Sequence, residues 1–258
     1  MRAGIFQCAG GGLTPRQRLD RLNDSLAGSA LDLVVCPELF ISGYNVGDAL
    51  RELAAPLSGD YSERVAEIAI SHHTAIVFGY PEIDGEQLYN AAACISADGL
   101  MIANHRKLLL PPGFELEYFQ PGEQLTLFEL FGMRCAILIC YDAEYPEAVR
   151  ACAESGAQVV IVPTALVDNW GSVAHQLMPT RAFESGVWLL YANHAGEENG
   201  FRYLGASCIV APDGKDAARA GAEQCLIHYE LNQELVSRAR NRLPYLKDVK
   251  LLRKILSK

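Results

Sequence analysis

Cys140 has the sequence surroundings expected of a catalytic nucleophile. It follows the apolar run 136–139, which is typical of a buried strand, and acidic residues and Pro146 come after it, as at the start of a helix. Such a strand–turn–helix elbow would expose the thiol at the end of a sheet, where the helix dipole favours the thiolate. A thiolate is a strong nucleophile toward carbon–nitrogen bonds. A buried structural role is the alternative, and it is expected for the other seven cysteines.

Two charged residues follow predicted strands upstream of Cys140. Glu38 comes directly after an apolar run, and Lys107 follows the predicted strand 100–104 of a hairpin that turns at Asp98-Gly99. Functional groups in open sheets collect beyond the carboxyl ends of strands, so the three side chains are expected to share one cleft. Either charged residue alone is typical of a solvated loop. Only their combination in this order indicates a catalytic site.

The elements that must position these residues alternate between strand-like and helical patterns, which indicates α/β layers. Residues 107–122 are expected to form a long loop rich in Pro and Gly, and 207–211 is expected to turn at Pro212-Asp213-Gly214 before 224–231 returns. The predicted strands are 3–8, 32–36, 75–80, 88–96, 100–104, 125–130, 134–139, 158–162, 187–192, 207–211 and 224–231; the predicted helices include 15–27, 62–72, 146–155 and 173–184.

At the three site residues the chain resembles the nitrilase, or carbon–nitrogen hydrolase, superfamily, whose fingerprint is a Glu–Lys–Cys triad in the order Glu38, Lys107, Cys140. The resemblance runs nearly end to end. It implies a four-layer α-β-β-α sandwich formed by a single domain over residues 1–258. The matching segments are Pro37-Glu38-Leu39-Phe40, Ser42-Gly43-Tyr44, Arg106-Lys107, 140–147, 162–165, 181–185, Tyr191-Ala192-Asn193 and 205–214.

The resemblance also implies a role for each member of the triad. Cys140 would attack an amide carbonyl carbon, and Glu38 would accept the thiol proton and pass it to the leaving nitrogen. Lys107 and the backbone N–H of Tyr141 would hold the oxyanion. The products would be a carboxylate and ammonia, formed through a cysteine thioester.

A second glutamate of the family orients the lysine or contacts substrate. In the loop before Pro121-Gly122, Glu115 matches many relatives and Glu117 matches the aliphatic-amidase branch; we select Glu115. Solvated loop acids are the alternative for both. For Trp170, packing at a helix start is an equal alternative to lining the substrate pocket. The substrate-binding candidates are Tyr44, Tyr141, Thr164, Ala165 and Trp170.

Composition narrows the possible partners. The chain has 258 residues, 50% of them hydrophobic, and a net charge of −9, which argues against nucleic acid or an anionic membrane surface. No apolar stretch approaches the roughly 18 residues of a membrane span, and the N-terminus lacks the pattern of a signal peptide. The scattered cysteines suggest neither zinc nor a disulfide framework. We therefore expect a cytoplasmic enzyme without a metal or other cofactor.

The substrate is expected to be a small aliphatic primary amide, since the chain is most similar to the branch of 5-aminopentanamidase-like enzymes. An N-carbamoyl amine hydrolase with the same triad, a nitrilase and a non-catalytic scaffold are the alternatives. A Cys–His protease using His175 or His194 is a further alternative. Relatives assemble near the helix after the nucleophile, so a homodimer or a larger homo-oligomer is expected.

Overall fold

The computed structural model describes residues 1–257, which fold into two six-stranded sheets, a short hairpin and flanking helices. The strands are β1 (Arg2–Gln7), β2 (Leu33–Val35), β3 (Ala75–Asp84), β4 (Gln87–Ile95), β5 (Met101–Arg106), β6 (Thr126–Leu130), β7 (Met133–Ile137), β8 (Val159–Pro163), β9 (Trp188–Ala192), β10 (Glu197–Glu198), β11 (Phe201–Arg202), β12 (Cys208–Val210), β13 (Asp216–Arg219) and β14 (Cys225–Glu230). The helices are α1 (Pro15–Leu26), α2 (Leu50–Leu53), α3 (Asp60–His72), α4 (Phe114–Tyr118), α5 (Pro146–Glu154), α6 (Met178–Ser185), α7 (Gln233–Arg242) and α8 (Tyr245–Leu256).

The two sheets have related topologies. The first has the order β14-β1-β2-β3-β4-β5 and the second the order β13-β12-β9-β8-β7-β6. Three central strands are parallel in each sheet, β1 to β3 and β7 to β9, while the outer strands pair antiparallel. Helices α1 and α3 connect the parallel strands of the first sheet, and α5 and α6 connect those of the second. Parallel pairing requires such crossovers, which place helices over the outer faces.

A continuous core between the sheets joins them face to face. Ile5 and Val77 of the first sheet belong to the same buried cluster as Ile137, Ile161 and Leu190 of the second. A second cluster packs α5 and α6 on the outer face of the second sheet, and a third packs α1 and α3 on the first. The order of layers is therefore α-β-β-α, which confirms the fold that the resemblance implies.

The apolar spacing and the end residues explain the outer helices. In α1, Leu19, Leu22 and Leu26 are buried at helical spacing, while the Thr14 hydroxyl accepts the backbone N–H of Gln17 and the Gln17 side chain accepts that of Thr14. Pro146 begins α5, where its missing N–H has no cost. These signals are local, so the sequence pattern located these helices to within about two residues.

The structure differs from the predicted elements in three places. The segment 107–122 is not all loop, because it contains the short helix α4 after Gly113. The strand β12 pairs with β13, which was missed, and β14 lies beside β1 in the other sheet. Charged Asp216 and Arg219 at the ends of β13 hid its strand pattern. The predicted helix 173–184 begins as a π turn, Val173–Leu177, before α6.

Candidate active site

Four site residues lie just after strands, on loops from both sheets. Glu38 lies after β2 and Lys107 directly after β5, whereas Cys140 lies after β7 and Thr164 directly after β8. The backbone N–H of Glu38 donates to the carbonyl of Thr164 at 3.3 Å, which joins a loop of the first sheet to a loop of the second. Gly79 of β3 lets the Glu38 loop pack closely on that strand, because a Cβ there would lie 2.5 Å from the carbonyl oxygen of Pro37. The structure therefore brings the predicted strand ends together.

The ammonium of Lys107 lies between two carboxylates. Its Nζ is 2.7 Å from Glu38 Oε1 and 2.5 Å from Glu115 Oε1, and all three side chains are buried. A buried charge is tolerated when it is paired and hydrogen-bonded, and each pair here meets both conditions. Glu117 is exposed, so of the two loop acids the structure places Glu115 against the lysine.

Asn90 of β4 completes this cluster and was missed from the sequence. Its Nδ2 donates to Glu38 Oε1 at 2.7 Å and to Glu115 Oε2 at 3.1 Å. Its backbone carbonyl accepts the N–H of Lys107 at 2.8 Å. The one available signal was a polar residue directly before three alanines in a strand that is buried along most of its length.

The pKa values of the cluster follow from burial opposed by pairing. Burial raises the pKa of Glu38 to about 7, with Lys107 lowering it and Glu115 raising it. Burial lowers the pKa of Lys107, but the charges of Glu38 and Glu115 outweigh that effect and hold it above its usual range. The lysine therefore stays an ammonium, and Glu38 is the group whose protonation changes near neutral pH.

Cys140 occupies a strained elbow. Its φ is 46°, in the left-handed region that non-glycine residues rarely adopt, and it begins the 3₁₀ turn Cys140–Glu144. The residue is partly accessible, yet burial is the largest effect on its thiol and raises the pKa well above its usual range. The charge of Glu38 raises that pKa further, whereas Lys107 and hydrogen bonds from Thr164 and Ala165 lower it.

The prediction that a helix dipole favours the thiolate is therefore wrong. The 3₁₀ turn separates Cys140 from α5, and the dipole effect falls off within one turn. The raised pKa of the Cys140 thiol favours its neutral form, so attack on a carbonyl carbon needs a base. The Oε2 atom of Glu38 is buried and has no hydrogen-bond partner among residues 1–257, so it is free to accept that proton.

Asp142 joins the loop of the lysine to the loop of the cysteine and was also missed. Its buried carboxylate accepts the backbone N–H groups of Leu109 at 2.8 Å, Leu108 at 3.2 Å and Ile139 at 3.1 Å. These groups lie just after Lys107 and just before Cys140. Asp142 thus fixes the two backbones that carry the nucleophile and the cation.

The substrate-binding candidates lie in different environments. Thr164 is fully buried, with its hydroxyl 3.0 Å from that of Tyr191, and Ala165 is half-buried next to it. The Tyr44 hydroxyl donates to Glu115 Oε1 at 2.7 Å. The side chain of Tyr141 accepts from the Tyr145 hydroxyl at 2.6 Å in an exposed contact.

Trp170 is 60% exposed on the 3₁₀ turn Asp168–Trp170, after β8. No contact in the structure joins its indole to the cluster, so its role at the pocket stays a prediction. The backbone N–H of Tyr141 lies in the first turn of the 3₁₀ segment, where N–H groups have no partner within the helix. Its role at the oxyanion also stays a prediction.

The two histidines considered as bases do not have the required setting. His175 is exposed on the π turn. His194 is buried, with its Nε2 hydrogen-bonded to the backbone carbonyl of Glu38 at 2.7 Å, and burial lowers its pKa to about 3. Neither histidine is therefore placed to take the proton of Cys140. Arg181 and Glu184 form the expected ion pair within α6, at 3.1 Å.

Within residues 1–257 the structure contains no group of three or more His, Cys, Asp or Glu side chains that could hold a metal ion. Over the same residues, every helix is too short or too polar to cross a membrane.

Comparison with known proteins places this site in a family. The model of the carbon–nitrogen hydrolase family matches residues 2–241. A hydrolase in the pqqF 5′ region of Pseudomonas protegens is 40% identical over 96% of this chain and 88% of its own length. An (R)-stereoselective amidase of a Pseudomonas species is 32% identical over 98% of this chain and 92% of its own.

A solved structure supports the same grouping. An amidase of the nitrilase superfamily from Nesterenkonia AN1 has a TM-score of 0.88 and 33% identity, covering 98% of this chain and 96% of its own. One structure of that amidase shows covalent addition of the acetamide moiety of fluoroacetamide at its active-site cysteine, and others are complexes with acrylamide and with butyramide.

Proposed function

We propose that this chain, which belongs to the carbon–nitrogen hydrolase family, is an amidase that hydrolyses a small aliphatic primary amide to a carboxylate and ammonia. It is a hydrolase of carbon–nitrogen bonds other than peptide bonds. The observation that carries the proposal is the ammonium of Lys107 held between Glu38 and Glu115, in a cluster whose charges act on the thiol of Cys140.

In the first half-reaction Cys140 Sγ attacks the carbonyl carbon, and its proton moves to Glu38 Oε2. Lys107 and the backbone N–H of Tyr141 bind the oxygen as it becomes negative. The intermediate collapses, the carbon–nitrogen bond breaks, and Glu38 donates its proton to the leaving nitrogen, which departs as ammonia. An acyl thioester on Cys140 remains.

In the second half-reaction Glu38, again a carboxylate, deprotonates a water that attacks the thioester. The carbon–sulfur bond breaks, the carboxylate product leaves, and the thiol regains the proton. Glu38 therefore acts twice, and its raised pKa suits a group that must both take and give a proton near neutral pH. Lys107 keeps its charge throughout, because the two carboxylates beside it favour the ammonium.

The relatives support an amide over the other carbon–nitrogen substrates. Variants of the Nesterenkonia amidase bind butyramide and acrylamide, and the active-site cysteine of another variant forms a covalent adduct. A ureide or a nitrile would use the same nucleophile and base, so the panel that tests the proposal includes all three. Amides with and without a terminal amine then test the 5-aminopentanamidase-like assignment.

The direct test is ammonia release by the purified protein from primary amides, ureides and nitriles, with Cys140→Ala as the control. Amide turnover that disappears in the variant is expected. Intact-protein mass spectrometry after mixing with an activated ester should show an acyl group on Cys140. Preference for a ureide or a nitrile would contradict the assignment of an amide substrate, and turnover by Cys140→Ala would contradict the proposed mechanism.

We also propose a single domain over 1–258, a cytoplasmic location and a homodimer or larger assembly. The family match over 2–241 supports the first, and eight free cysteines suit a reducing compartment. Leu251, Leu252 and Ile255 of α8 are 61%, 48% and 58% exposed, which supports association through an apolar surface. Light scattering during size-exclusion chromatography gives the mass of the protein in solution, and a monomer at all concentrations would contradict the proposed assembly.

A further inference from the structure

A second buried ion pair lies outside the catalytic cluster. Arg18 of α1 donates through Nη2 to Glu198 Oε1 of β10, and the two side chains are 1% and 3% exposed. The residues are 180 positions apart in the chain. Three further polar atoms of the pair, Arg18 Nε, Arg18 Nη1 and Glu198 Oε2, have no hydrogen-bond partner among residues 1–257. A pair with so many unpaired polar atoms is a poor source of stability.

The pair lies directly against the loop that carries Tyr44. The neighbouring Gly43 has a φ of 81°, and a Cβ there would lie 2.8 Å from Arg18 Nη2 and 2.9 Å from the carboxyl carbon of Glu198. Only glycine fits both that backbone conformation and that distance. The ion pair is therefore in direct contact with the backbone of this loop, and glycine at position 43 permits that contact.

The hairpin of β10 and β11 holds Tyr44 from three sides. Asn199 Nδ2 donates to the Tyr44 carbonyl at 2.7 Å. The Glu198 carboxylate packs against the backbone at Gly43, directly before Tyr44, and the Tyr44 backbone N–H lowers the pKa of that carboxyl. The ring of Phe201 lies beside that of Tyr44, with centroids 6.1 Å apart. The loop of Tyr44 is thus held by the side chain of Asn199 and packs against those of Glu198 and Phe201.

The held residue contacts the catalytic cluster through its hydroxyl. Tyr44 donates to Glu115 Oε1 at 2.7 Å, and Lys107 Nζ donates to the same oxygen at 2.5 Å. An ammonium has three N–H donors, and two of them are directed at Glu38 and Glu115. The direction of the third, which the proposed mechanism assigns to the oxyanion, depends on where Glu115 lies.

We infer that Glu198, fixed by Arg18, is a positioning residue for the reaction: it fixes Tyr44, which holds Glu115 and so aims the ammonium of Lys107 at the oxyanion. The inference rests on the proposed function, since it assigns the third N–H of the lysine to the transition state. Glu198 touches no reacting atom. Loss of the contact should therefore lower kcat and leave KM nearly unchanged, because oxyanion binding develops only in the transition state.

Two variants and one matched control test the chain of contacts. Glu198→Gln removes the charge that holds the loop, and Asn199→Gly removes the second contact while tolerating the φ of 48° at that position. Glu197→Gln is the control, because Glu197 is exposed in the same hairpin and pairs with Arg202 on the surface. We expect kcat to fall about 10- to 100-fold in the first two, as small displacements at a reacting centre do, and KM to change less than about twofold.

A double-mutant cycle separates positioning from a merely structural role. If Glu198 acts through the Tyr44 hydroxyl, Glu198→Gln in a Tyr44→Phe background should add little to the loss that Tyr44→Phe causes alone. Fully multiplicative losses would overturn the inference, as would an unchanged kcat in a folded Glu198→Gln protein. Asn199→Gly supplies the same test if Glu198→Gln does not fold, because Asn199 is exposed.

Acylation of Cys140 by an activated ester is measured in the same variants by mass spectrometry, since it needs no amide turnover. A slower acylation in Glu198→Gln and Asn199→Gly than in Glu197→Gln supports the positioning role. Equal rates in all three contradict it. Wild-type protein that is acylated but releases no ammonia from any amide would contradict the proposed function alone.

Discussion

The two sheets contribute different chemistry to the same site. The ends of the first sheet carry Glu38 and Lys107, whose charges are buried and paired at 2.7 Å. The ends of the second carry Cys140 and Thr164, which are neutral there, and burial raises the pKa of the thiol. The strand ends of the first sheet thus form an ionic half of the site, and those of the second sheet form a neutral half.

The difference follows from the cost of burial. A buried ion is costly unless it is paired and hydrogen-bonded. On the side of the first sheet, Asn90, Glu115 and Lys107 therefore form one hydrogen-bonded group. A neutral thiol can be enclosed without a partner charge. Because the thiolate is the nucleophile, the base from the other sheet must first take the proton of Cys140. The reaction therefore also depends on the contacts that hold the ionic half and the neutral half against each other.

Removing the nucleophile should have the largest effect. Cys140→Ala should lower amide turnover by at least about 10⁴-fold, because the proposed thioester forms on its thiol. Cys135→Ala is the matched control: Cys135 is buried between the sheets on β7, and its loss should cost about 1 kcal/mol of stability without changing kcat. Turnover by Cys140→Ala within tenfold of wild type would remove the cysteine from the mechanism.

Removing the cation tests the ionic half. Lys107→Met should lower kcat about 100- to 1,000-fold, the usual cost of one oxyanion donor, and Lys107→Arg should not restore it, because a planar guanidinium cannot replace a compact ammonium between two carboxylates. The adjacent Arg106→Met is the control, since Arg106 binds Glu82 at 2.5 Å and lies partly in solvent. A Lys107→Arg enzyme with near-normal kcat would make the lysine peripheral.

Loosening the connection between the halves should have a smaller effect. Asp142→Asn leaves one oxygen acceptor where two now serve Leu109 and Ile139, so the lysine loop and the cysteine loop can shift against each other. We expect kcat to fall about 10- to 100-fold. Thermal unfolding of the variant is measured alongside, and an unchanged kcat in a stable Asp142→Asn protein would show that the two loops are fixed without it.

The sequence predicted the parts of this site that depend on strand ends. Glu38, Lys107 and Cys140 each follow an apolar run, so their convergence could be expected from the topology of an α/β sheet. The four layers could not be expected in the same way, because alternation of strands and helices alone does not show that two sheets pack face to face. That expectation came from the resemblance.

The contacts that stabilise the buried charges could not be predicted from the sequence. Asn90 and Asp142 act through hydrogen bonds to groups that are 52 and 34 positions away, and no local pattern shows such distances. The ion pair of Arg18 and Glu198 is separated by 180 positions. The state of the Cys140 thiol was also misjudged, since burial, which a sequence does not reveal, outweighs the helix that was expected beside it.

The pH dependence of kcat/KM sharpens the comparison, because it reports the base in the free enzyme. Burial raises the pKa of Glu38 to about 7, and only the carboxylate form accepts the thiol proton. Activity should therefore fall about tenfold for each pH unit below 7 and level off above it. The charge of Glu115 contributes to the raised pKa, so in Glu115→Gln the acid limb should move to lower pH, whatever the loss in rate. An acid limb centred near 4.5 in the wild type would mean that the base is a solvated carboxylate, and the ionic half of the site would then not be the closed cluster that activates the neutral half.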